Sequence, residues 1–208
     1  STNANADNYK QYLNELSQTI ATLTDIVLTD WQTNFRDTFV ANISSSSTGS
    51  VDKLANDYIL YYEKGLRAGK IGIPAGNFSN ETLPENVEGF YRKDLSKALF
   101  NASLTATQNF FEGKHSNSNT EGESFKSYLN FLNTIKNGDD LSTLIVNQFE
   151  ASRTQGNLLN DDFTQQIETD NSVMLLTFDE LQRNVILLKV DMLQALDINV
   201  DFVDTDGD

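Results

Sequence analysis

Near the end of the chain, Met174, Phe178, Leu181, Val185, Leu188, Met192 and Leu196 recur at alternating steps of four and three. That spacing puts them on one face of a long helix. Glu180, Arg183, Asn184, Lys189 and Asp191 fall largely outside the stripe, which predicts an amphipathic helix that must lie against several others. After Leu196 the period drops to two. Ile198, Val200 and Phe202 alternate with polar residues, predicting a short half-buried strand. The first part of the chain carries a matching stripe: Tyr9, Leu13, Leu16, Ile20, Leu23, Val27, Trp31, Phe35 and Phe39. It predicts a second long helix, with Asp7 or Asn8 as N-cap.

Between these helices the pattern continues. The serine-rich stretch 44–50 reads as an inter-helix loop, and Ser50 can cap a helix carrying Leu54, Tyr58, Tyr61 and Tyr62. That helix is expected to run out between Gly65 and Gly69. From Arg67 to Gly76, three glycines and Pro74 specify an irregular, closely packed backbone, with Ile71 and Ile73 pinning it to the core. Pro84 suits the first turn of a helix, with Glu85 and Glu88 at its positive end. Apolar positions from Val87 to Phe110 continue helically with a break near Asp94, and Ala98, Ala102 and Ala106 would let another helix approach closely. Ser124 opens a helix through Ile135 that Asn137-Gly138 closes, and Asp140 caps the next. The fold predicted is an all-α, antiparallel up-and-down helical bundle, one domain over 1–208, with a short extended segment at its C-terminus.

Composition narrows the partners. Thirty acids against 15 Lys plus Arg give a formal net charge of −15. Such a surface repels phosphate backbones and anionic lipid, so no nucleic acid is expected as partner. The absence of cysteine excludes thiolate metal sites, catalytic Cys and disulfides, and fits the cytoplasm or a bacterial envelope compartment. A start at Ser1 without a signal pattern points to a processed product, a trimmed chain or a fragment.

Candidate chemistry is sparse. His115, the one histidine, stands near Glu121 and Glu123, a set that could bind a divalent metal. Its polar loop reads more readily as solvated. Asp201, Asp204, Asp206 and Asp208 bunch acidic oxygens, yet their order does not match a calcium loop. Gly69-Lys70-Ile71-Gly72 lacks the Gly-Lys-Ser/Thr ending of a phosphate loop. By spacing alone, no catalytic site is present.

Four pieces in order carry a family resemblance. These are Gly69-Lys70-Ile71-Gly72-Ile73-Pro74-Ala75-Gly76, then Pro84 with Val87-Glu88, then Phe110-Phe111-Glu112-Gly113-Lys114-His115, and finally Leu187-Leu188-Lys189-Val190-Asp191 with Asp206-Gly207-Asp208. Together they resemble the second half of the imelysin family. The resemblance implies a bacterial envelope protein, periplasmic or a lipoprotein tethered through an anchor outside this chain, built of two helical bundles and associated with iron acquisition. It also implies a link to metallopeptidases through a G-x-H-x-x-E motif in the first bundle, with a divalent metal or iron as candidate cofactor of the full-length protein. This chain departs from the motif: Ser118 stands where the Glu would follow His115. The expectation is therefore a binding or scaffold module without catalysis of its own. The alternative is part of a metal-dependent peptidase whose motif-bearing half is missing. The partner implied is that N-terminal bundle or another envelope protein. The cleft residues implied are Lys70, Pro74, Glu88, Lys189 and Asp191, and the metal candidates are His115, Asp206 and Asp208.

Overall fold

The computed structural model describes residues 5–89, 91–116, 118 and 120–201. The chain divides into two compact units, Ser1–Ser44 and Ser45–Asp208.

The first unit is one helix, α1, α-helical over Ala6–Asp30, π-helical over Trp31–Phe35 and α-helical again over Arg36–Ala41. The predicted stripe is present, but no residue of α1 is buried. Trp31, Phe35 and Phe39 cluster at its far end, with ring centroids 5.4–6.2 Å apart.

The second unit is a four-helix bundle. Helix α2 runs through Ser50–Leu60, a π-helical stretch Tyr61–Gly72 and a last turn Ile73–Ala75. Two 3-10 turns, Pro84–Asn86 and Lys93–Leu95, lead into α3, Ser96–Glu112. Next come the short α4, Phe125–Phe131, and a two-residue hairpin of β1, Ile135–Lys136, and β2, Asp139–Asp140. Helices α5, Leu141–Gly156, and α6, Phe163–Asp170, follow. The last, α7, is α-helical over Ser172–Val185, π-helical over Ile186–Met192 and closes with Leu193–Ala195. Helices α2, α3, α5 and α7 pack in a ring, each against the next and α7 back onto α2. The core they enclose includes Tyr62, Leu104, Phe111, Ile145, Phe149 and Leu181. Six of the seven residues in the α7 stripe are buried; Leu196 is half-buried.

Local chemistry explains the boundaries. Ser124 and Ser127 exchange backbone and side-chain hydrogen bonds in a capping box at the start of α4. At α6, Asp162 Oδ1 accepts from the Thr164 and Gln165 amides at 2.7 and 3.3 Å. Replacing Asp162 with Ala should cost about 1 kcal/mol, read as a lower urea midpoint with an unchanged slope.

The structure differs from the sequence reading at four places. Asn137 and Gly138 both have positive φ and turn a β-hairpin, so Ile135 lies in a strand rather than a helix. Tyr91 is 91% exposed and precedes the helix, which starts only at Ser96. The helix read as ending near Gly65 continues to Ala75, because the glycines sit within a π-helical stretch rather than a loop. Beyond α7, Ile198 is buried, and the segment to Asp201 pairs with no strand among the described residues. It is held instead by Asn56, which donates to Asn199 O (3.0 Å) and accepts from the Asp201 amide (3.1 Å).

Candidate functional site

The site is built where the π-helical stretches of α2 and α7 lie in one bundle. A π turn adds a residue to the helical repeat and re-aims the side chains around it, and such turns frequently mark functional positions. Here such a stretch carries buried charges. Glu63 and Arg67, one turn apart on α2, are both fully buried, with Arg67 Nη2 donating to Glu63 Oε1 at 3.4 Å. Lys189 on α7 donates to both Glu63 oxygens at 3.1 and 3.2 Å. Arg67 Nη1 also donates to Gln182 Oε1. Its guanidinium carbon lies 5.0 Å from the Phe178 ring centroid and 5.8 Å from that of Phe78, two rings that meet edge-on. Cation–π contact and charged hydrogen bonds thus replace the water these ions lose. Tyr62, beside this array, packs edge-on against Phe149. Burial drives its phenol well above its ordinary value, so it stays protonated at neutral pH.

The glycine-rich segment shapes the neighbourhood. A Cβ on Gly72 would come within 2.6 Å of Phe78 and 2.7 Å of Phe178, so this glycine admits the two rings that flank Arg67. Gly76, at φ +79°, ends α2. The Asn77 amide donates to Gly72 O at 2.9 Å and the Gly76 amide to Ile73 O at 3.1 Å, the paired bonds of a Schellman motif. Pro74 is buried, and its carbonyl accepts from the Leu83 amide at 2.9 Å to close the loop. Outside this turn is an open cleft of about 530 Å³ lined by Lys64, Ala68, Ile73, Asn77, Phe78, Ser79 and Asn80.

The cleft residues read from sequence are only partly brought together. Lys70 pairs with Glu88, and Pro74 lies one turn further along the same helix. Lys189 reaches Glu63, whereas Asp191 pairs with Lys136 of the hairpin. Glu63, Arg67 and Gln182 escaped the sequence reading. The available signal was an i, i+4 acid–base pair in a helix whose stripe otherwise points to the core. Of the metal candidates, His115 stands in an open polar loop where its amide donates to Thr120 O (3.0 Å). Lys114 beside it pairs with Glu112. Asp206 and Asp208 lie outside the described residues, as do Phe202 and Asp204. Among the described residues, no three His, Cys, Asp or Glu side chains group as a metal site. Among the same residues, no helix is long and apolar enough to cross a membrane.

Fold and site together define an all-α bundle protein organised around a buried charge array. The family model of imelysin, peptidase M75, matches residues 1–184, and the chain belongs to the imelysin family. The match ends short of the Leu187–Asp191 segment. No curated protein and no solved structure matches the chain.

Proposed function

We propose that the chain is a binding module of an imelysin-family protein of the bacterial envelope, serving iron uptake without catalysis of its own. Its cleft beside Arg67 would take an oxygen-rich anion of the kind that chelates iron. One observation carries this reading. In a chain of 15 cations and 30 acids, Lys64, Arg67 and Lys70 occupy seven consecutive residues of one helix, and Lys189 comes in from another. Glu63 and Glu88 pair with three of these cations, and Lys64 lines the cleft, where a cation on an acidic protein attracts anions against the general field. Asn77, Ser79 and Asn80 add hydrogen-bonding groups at the cleft wall, and Phe78 an aromatic face. Glu63 is engaged by two cations, which suits a positioning role better than proton transfer.

Calorimetric titration with ferric citrate tests the proposal, with citrate alone as control. Saturable binding that weakens about tenfold in Lys64→Gln is expected, the loss of one charge-assisted contact. Heat indistinguishable from dilution, or equal binding by the variant, would contradict it. Chelator-sensitive cleavage of insulin by the purified chain would favour the peptidase reading instead.

A further inference from the structure

We propose that Phe78 is a lid over Arg67, which an anion entering the cleft moves aside to take the guanidinium as a ligand. The inference rests on the reading of the cleft as an anion site. The Phe78 ring borders two places at once. It lines the open cleft with Lys64 and Ala68, and it lies 5.8 Å from the guanidinium carbon of the fully buried Arg67. Arg67 stands between Lys64 and Ala68 on α2, so the ring separates the guanidinium from the cleft. The two rings on Arg67 differ in how they are held. Phe178 is buried and belongs to α7, whereas Phe78 is 37% exposed and belongs to a loop.

The loop is built to move. From Asn77 to Thr82, Phe78 is the one apolar residue. Within 78–82 the Ser79 amide donates to Gly76 O at 3.2 Å and Ser79 Oγ to Glu81 O at 2.6 Å. Among the described residues, no hydrogen bond joins 78–82 to another helix. The ends are fixed, the Asn77 amide on Gly72 O and the Leu83 amide on Pro74 O. A segment pinned at both ends, and anchored between them by one partly exposed ring, belongs to the low-stability part of a fold from which ligand lids are drawn. Opening exchanges a cation–π contact for a charge-assisted hydrogen bond to a carboxylate, the stronger of the two. The ligand class is a compact polycarboxylate, with one carboxylate for Arg67 and another for Lys64.

Arginine labelling by phenylglyoxal, read by peptide mass, tests the lid, with Arg92, its side chain 67% exposed, as internal standard. In the unaltered chain Arg67 should lag far behind Arg92. Phe78→Ala should raise the Arg67 rate about tenfold relative to Arg92, and ferric citrate should protect it again. A lid also weakens binding by the fraction of time it is closed. Phe78→Ala should therefore bind ferric citrate about fivefold more tightly by calorimetry, whereas a ring that only packs would leave affinity unchanged or lower. Phe78→Leu, which keeps an apolar cover, should fall between the two proteins on both readouts. It replaces Phe78→Ala in the comparison if circular dichroism shows that the alanine variant has lost its helices. Ferric citrate that binds the unaltered chain, yet binds Phe78→Ala no more tightly or leaves its Arg67 unprotected, would overturn the lid and leave the anion reading standing. Ferric citrate that binds neither protein would overturn the anion reading and the lid with it.

Discussion

Replacing Glu63 with Leu is expected to lower stability by roughly 3–5 kcal/mol, the largest loss among the substitutions considered. The leucine itself is not the cause, since a fully buried position accepts it. The loss comes from the two cations left behind. Arg67 would keep Gln182 and the two phenylalanine rings but lose its carboxylate, and Lys189 would lose the acceptor it holds through both oxygens. An ion buried without its counterion keeps its dehydration cost and loses its compensation. The double variant Glu63→Leu with Arg67→Met should recover at least half of the loss, because an apolar pair replaces a broken ionic one. Urea unfolding of the three proteins checks both statements.

The second large effect is expected at Gly76. Alanine there meets two obstacles. The backbone is left-handed at φ +79°, and the new Cβ would stand 2.5 Å from Glu81 O, a backbone atom that cannot swing aside. A loss of about 3 kcal/mol is expected. Gly138→Ala separates the two causes. It has φ +95° with nothing within 4 Å of the new Cβ, so it should cost only about 1 kcal/mol. If the two glycines proved equally sensitive, the close approach of the 76–82 loop to itself would be refuted.

The second unit was largely legible in the sequence because its helices bury one face each. Periodicity reports burial, and Met174 through Met192 are buried as their spacing requires. The same signal also marks α1 as a helix, where the equally regular stripe meets no other element within its unit. Spacing shows that a face is apolar; it does not show what covers it. The Asn137-Gly138 pair was read as a helix stop, although two successive positive φ values make it a hairpin turn. The charge array escaped for a different reason. Glu63 and Arg67 have the spacing of an ordinary surface ion pair, and spacing alone does not show that both are buried. The glycine-rich segment stood out at once, but its purpose did not. Gly72 makes room for Phe78 and Phe178 around Arg67, a relation between residues over a hundred positions apart.

The most direct test of the binding reading is an amide resonance map of the isotopically labelled chain during addition of ferric citrate, with gallium citrate as the diamagnetic reference. Iron(III) broadens resonances near it, so its position can be read without presuming a ligand set. Loss of intensity confined to residues 64–80, strongest at Gly72, Asn77 and Ser79, is the predicted result. Broadening centred on His115, or none that saturates, would contradict an anion site beside the Glu63–Arg67–Lys189 array.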